Sequence, residues 1–145
     1  MTRWHAGWVA FTLLLAASGG CDSNRRVRTA GDGRTAEILA TIELRKGVAL
    51  RDREDWDTAI ACFTKAIRLD PDNPHSYFGR GFAYRKTGED DKAIRDYTVA
   101  IRLKPGFLVA YLDRSWAYRD KEEFYLQIKD LSELIRLISF HETPV

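Results

Sequence analysis

PHSYFGRGFAYRKTGEDDKAIRDYTVAIRLKP, residues 74–105, decides how the rest of the chain is read, because much of it recurs when the sequence is displaced by 34 positions. Upstream, AIRLDP at 66–71 answers AIRLKP at 100–105; Ala59, Ile60 and Phe63 answer Ala93, Ile94 and Tyr97; Gly47 answers Gly81. Downstream, Tyr77, Arg80, Ala83, Tyr84 and Arg85 return as Tyr111, Arg114, Ala117, Tyr118 and Arg119. A unit repeated at such a period cannot bury its apolar face alone and is stabilised by stacking on its neighbours.

Capping residues, prolines and glycines divide each copy into two helices. Asp72-Asn73-Pro74 pairs a capping side chain with proline at the first helical position, and Pro71 stops the helix before it. Gly88 suits a left-handed helix stop, and Glu54, Asp55, Asp57, Glu89, Asp90 and Asp91 supply acids for positive helix N-termini. The expected helices are 36–53, 56–69, 74–86, 89–103, 108–119 and 123–138. Apolar spacing predicts a buried stripe of Ile38, Leu39, Ile42, Val48 and Ala49 on the first and of Phe124, Ile128, Leu131, Ile135 and Ile138 on the last. On the last helix Gln127 and Leu134 replace the alanines of the earlier copies, which marks the end of the array. Leu126, Leu137 and Phe140 fall near its opposite face, either as scattered surface or as the contact of a homodimer.

Tyr77-x2-Arg80-Gly81-x2-Tyr84, then Ala93-x3-Tyr97, then Pro105 resembles the tetratricopeptide repeat, whose pattern is W-x2-L-G-x2-Y…A-x3-F…P. The likeness spans about residues 40–139 in three copies, about 40–73, 74–107 and 108–139. The main departure is Arg80, with Arg114 and Lys46, where the general pattern has Leu. The resemblance implies an all-α fold, an α-α superhelix (solenoid) of about three helical hairpins, acting as a protein–protein interaction or assembly module.

In such an architecture the first helices of the hairpins line the concave side. Rows at the repeat period then give a partner-binding groove of Leu44, Phe78 and Leu112, of Val48, Phe82 and Trp116, and of Arg51, Arg85 and Arg119. Similar surfaces bind extended or helical peptide segments, with aromatic and Arg side chains as anchors. In the competing reading Phe78 and Phe82 only pack between neighbouring helices. A clamp for a chaperone's C-terminal carboxylate is disfavoured, because Leu44, Val48, Gly79, Val109 and Asp113 stand where that clamp needs Lys and Asn donors. Arg80 with Asp96 and Arg114 with Asp130 recur at one spacing and resemble a structural ion pair of one branch of the family. Lys46 with Cys62 takes their place in the first copy, and Cys62 is expected to be a buried, inert thiol.

The remaining features bound the function. A formal net charge of +2, from 23 basic and 21 acidic residues, argues against nucleic-acid binding driven by bulk charge. No metal-ligand spacing, nucleophile elbow or phosphate-cradling loop occurs, so neither a cofactor nor catalysis is expected. Arg3, the apolar run 6–18 and the small residues before Cys21 have the form of a signal peptide. The junction resembles a bacterial lipobox, with Ser18 departing from the usual Leu. Expected boundaries are a signal peptide at 1–20, a flexible basic linker at 21–35, the repeat domain at 36–140 and a tail at 141–145. This organisation implies a lipoprotein anchored through Cys21 on the periplasmic side of a bacterial envelope. The alternatives are cleavage within 16–20 to a soluble periplasmic or secreted product, and an uncleaved anchor holding an intracellular scaffold.

Overall fold

The computed structural model describes residues 32–141, all of them in helices or the short turns between. Six helices follow in order: α1 (Asp32–Arg51), α2 (Trp56–Leu69), α3 (Pro74–Lys86), α4 (Asp90–Leu103), α5 (Leu108–Asp120) and α6 (Phe124–His141). Each packs against the next in the chain, and α1 also meets α3 and α3 meets α5, so three hairpins stack into a solenoid with the odd helices along one side. Local chemistry sets the boundaries. The Asp55 carboxylate accepts from the Thr58 amide at 3.4 Å, and the Asn73 side chain accepts from the His75 amide at 3.0 Å, capping α2 and α3. Helix α1 starts within the stretch expected to be linker, at Asp32.

The turn inside each hairpin holds a left-handed residue at the same position of the repeat. Gly88 takes φ +80° without strain, whereas Glu54 at 59° and Glu122 at 61° adopt the same conformation with a side chain attached.

The core is built from small residues on one helix and large rings on the next. Phe63 is fully buried between α1 and α3, where a Cβ on Gly47 would fall 2.7 Å, and one on Gly79 2.5 Å, from its ring. Tyr97 repeats the arrangement one hairpin later, against Gly81, Ala93 and Ala117.

Two expected stripes are corrected. On α1 the buried positions are Ala40 and Gly47, which let α2 approach closely, while Ile38, Leu39, Ile42 and Ala49 are exposed and Val48 is half-buried. On α6 the inward positions are Asp130 with half-buried Leu126, Gln127, Leu131, Leu134 and Leu137, whereas Phe124, Ile128, Ile135 and Ile138 face outward. The cause is shared. In an end helix only one side has a neighbour, and Asp130 must face α5 to reach Arg114. Of the patch assigned to the opposite face, Leu126 and Leu137 are thus half-buried.

The expected ion pairs form. Arg80 donates from Nε and Nη2 to the two Asp96 carboxylate oxygens at 2.7 and 2.9 Å, and Arg114 binds Asp130 at 2.8 and 2.7 Å in the same way. Each guanidinium also lies by two tyrosine rings of its own helix, Tyr77 and Tyr84 for Arg80, Tyr111 and Tyr118 for Arg114. That cage explains why Arg can replace the apolar residue of the general pattern. The first hairpin lacks both tyrosines, and there Lys46 instead forms an exposed pair with Glu43 at 2.9 Å. Cys62 is buried, and desolvation pushes its thiol pKa up, as befits an unreactive core residue.

Candidate functional site

A cleft of about 420 Å³ opens between the first two hairpins and the start of α5. Leu44, Val48, Phe78 and Phe107 give it apolar walls, Gly79 leaves room in the wall, and Arg45 and Arg51 supply charge. His75 and Phe107 meet at 5.0 Å between ring centroids, and Phe78 lies 5.0 Å from Phe107 and 5.8 Å from Tyr97. Desolvation and the nearby Lys104 lower the His75 pKa from its ordinary value.

Beyond the cleft the same face continues as a series of guanidinium groups on aromatic rings. Arg51 lies 5.8 Å from the centroid of Phe82, and Arg85 lies 5.4 Å from that of Trp116. Each arginine thus covers the aromatic residue of the following hairpin, which ties adjacent odd helices together. Lys86 approaches the Phe82 ring at 5.5 Å, and Trp56 sits 6.2 Å from it. Asp52 binds Arg51 at 2.9 Å, while Asp120 serves both Arg119 at 2.9 Å and Arg85 at 3.3 Å. Asp113 is buried behind this wall, and desolvation raises its pKa against the pull of Arg85 and Lys86.

Two family models match the region that builds this face, one described as TPR repeat over residues 47–88 and one described as tetratricopeptide repeat over residues 74–107. Residues 47–107 carry tetratricopeptide repeats. Among solved structures, the first such domain of Spaghetti (RPAP3), bound to the HSP90 peptide SRMEEVD, superposes with a TM-score of 0.68 at 27% identity. That match covers 70% of this chain and 80% of the other. MamA gives a TM-score of 0.64 at 28% identity over 75% of this chain, which spans 60% of MamA. The tetratricopeptide domain of Arabidopsis OM64 shares the fold, with a TM-score of 0.69 at 24% identity, covering 70% of this chain and 84% of that one. No curated protein sequence matches the chain.

The tetratricopeptide fold brings Leu44, Val48, Arg51 and Phe78 together in the cleft. Phe82, Arg85, Trp116 and Arg119 lie in the stacked series and its acidic partners, and Leu112 is half-buried. Phe78 also belongs to the packing around Tyr97 and Phe107, so one ring serves both the core and the cleft wall. Trp116 is 36% exposed and is the most accessible of the aromatic anchors. Sequence reasoning missed Arg45, His75 and Phe107. The row through Arg45 reads Arg45, Gly79, Asp113, three unlike side chains, so a search for similar residues passes over it. Cys21 lies outside the described residues.

Proposed function

We propose that the tetratricopeptide domain is a non-catalytic docking module that holds an extended segment of a protein partner, with apolar side chains and at least one carboxylate, in the concave cleft. The observation that carries this reading is the pairing of an apolar cleft of about 420 Å³ with two guanidinium groups, Arg45 and Arg51, on its lining. Apolar walls favour Leu-, Val- or Met-like side chains through the area they remove from water, and guanidinium selects carboxylate by charge-assisted hydrogen bonds. These arginines supply donors that Leu44 and Val48 cannot. The fold relative Spaghetti is bound to SRMEEVD, a peptide that combines Met and Val with three acids.

An array of peptides of graded length probed with the protein tests the proposal. Captured peptides are expected to combine apolar residues with Asp or Glu, and Arg45→Glu is expected to weaken their binding about tenfold, the loss of about 1.4 kcal/mol of charge-assisted contact. Trp116→Ala should weaken longer peptides that reach the stacked series and leave short ones unaffected. Equal capture by wild type and Arg45→Glu, with helicity unchanged, would remove the cleft from consideration.

On the same reading residues 1–20 export the chain and a lipid on Cys21 anchors it at the periplasmic side of a bacterial membrane. The support is the basic start, the short apolar run 6–18 and the small residues before Cys21. Mass spectrometry of the mature protein is expected to find Cys21 as its lipid-modified first residue. A mature chain that still begins at Met1, or at an unmodified residue within 17–21, defeats the anchor.

A further inference from the structure

Among the described residues ten large hydrophobic side chains are exposed, and eight of them sit on the two end helices. Three are on α1 (Ile38, Leu39 and Ile42) and five are on α6, where Ile128 and Ile135 are 63% and 64% exposed. These two faces are the halves of a joint that the chain already makes twice internally.

The repeat period shows this position by position. Helix α4 presents Ile94 and Ile101 to the buried clusters that include Ala117 and Ala110 of α5. Displaced by 34 residues, Ile94 and Ile101 become Ile128 and Ile135 on α6. In the other direction, Ser76 and Ala83 of α3, like Ala110 and Ala117 of α5, are at most 1% exposed. Their counterparts on α1 are Ile42, 42% exposed, and Ala49, also exposed. A polar link accompanies the apolar one. Arg80 donates to the Thr64 hydroxyl at 3.2 Å, and Arg114 to the Thr98 hydroxyl at 2.8 Å, each crossing from one hairpin to the one before it. The next hydroxyl in that series is Ser132 on α6, and the cation that precedes Arg80 is Lys46 on α1. Ser132 lines an open cleft of about 590 Å³ together with Ile128 and Arg114.

We infer that the chain binds a second copy of itself head to tail, with α1 of one copy packed on α6 of the other as a continuation of the α2–α3 and α4–α5 contacts. The lengths of the end helices fit this joint. Inside the chain α2 and α4 have 14 residues each and must then turn into the next helix. Helix α6 has 18 residues and α1 has 20, and by the repeat period the excess falls at the C-terminal end of α6 and the N-terminal end of α1. In an antiparallel pair those two ends lie side by side, so Ile138 and Ile38 extend the contact. Ile42 is bulkier than Ser76 and Ala110 at the matching internal positions, which holds the helices of the joint farther apart than those inside the chain. A twofold pairing of α6 with α6 would leave the α1 face uncovered, whereas the head-to-tail joint covers both faces at once. Such a heterologous contact does not close on itself, so assembly grows with concentration beyond two copies.

Sedimentation velocity of the full chain tests this with three preparations: wild type, the α6 variant Ile128→Glu/Ile135→Glu and the α1 variant Ile38→Glu/Ile42→Glu. Wild-type mean mass is expected to rise between about 1 µM and about 100 µM, the range in which a micromolar joint registers. Each variant alone is expected to stay monomeric, because each lacks one half of the joint. Mixed one to one, they retain one intact α1–α6 pair and should give a heterodimer and nothing larger. Wild type that stays monomeric throughout overturns the inference whatever the variants do. So does dimerisation of the α1 variant alone, which means a twofold α6 contact, or equal association of all three, which means contacts elsewhere in the chain. Circular dichroism confirms that each variant keeps its helices, as expected for substitutions at exposed positions.

Discussion

Replacing Asp96 with Ala is expected to destabilise the domain by about 3 kcal/mol, within the range for removing one partner of a buried ion pair. Asp96 is buried, and both of its oxygens accept from Arg80, at 2.7 and 2.9 Å. Without them the guanidinium stays among Tyr77, Tyr84 and Thr64 with its charge uncompensated, and solvent reaches it poorly. The loss should appear as a fall in Tm of about 10 °C or more for a domain of this size, and as a lower midpoint in urea at unchanged slope. The decisive control is Arg80→Leu/Asp96→Leu, which removes both charges and restores the apolar residue of the general repeat pattern at position 80. Because the desolvation of both ions is removed together with their attraction, that double variant should recover most of the lost stability. An Asp96→Ala protein as stable as wild type would show that water compensates Arg80 and that the pair contributes only at the surface level.

The Arg–Asp pairs show what kind of information the sequence carried. Residues 16 positions apart on the two helices of one hairpin recur with the repeat, and the structure joins them. Helix ends were equally legible where a cap or proline marks them, as at Asn73-Pro74, because those residues act locally. The orientation of the end helices was not. Alpha-helical spacing finds an apolar stripe but not which side of the helix a neighbour occupies, and α1 and α6 each have a neighbour on one side only. On α1 the packed seam is made of Ala40 and Gly47, whose small size carries little apolar signal, while the conspicuous Ile38 and Ile42 face outward. At the candidate site four residues of the rows at the repeat period, Leu44, Val48, Arg51 and Phe78, line one cleft. The rows could not show that Arg51 stacks on Phe82, and Arg85 on Trp116, because those contacts run between rows and depend on how far each hairpin turns relative to the last.

Phe63 packs between the first two hairpins, and the second large effect is expected there. Its ring is fully buried with α1 on one side and α3 on the other, at glycines on both. Phe63→Ala removes the ring and leaves a cavity between three helices, a change expected to cost about 3–5 kcal/mol. Gly79→Ala attacks the same slot from the opposite side. Its Cβ would stand 2.5 Å from a ring carbon that is also confined by Gly47, so ring and helix must separate, at about 1–3 kcal/mol. The two changes should couple: Gly79→Ala in a Phe63→Leu background should be tolerated better than in wild type, because the shorter side chain vacates the contested space. Additive losses in that cycle would mean that the ring does not hold the spacing of α1 and α3. The function is exposed to the same slot. Gly79 lines the cleft whose walls include Leu44 and Val48 of α1 and Phe78 of α3, so a wider α1–α3 spacing also widens the site. Gly79→Ala should therefore weaken peptide capture even where the domain remains folded, and the Phe63→Leu background should restore part of both the stability and the binding.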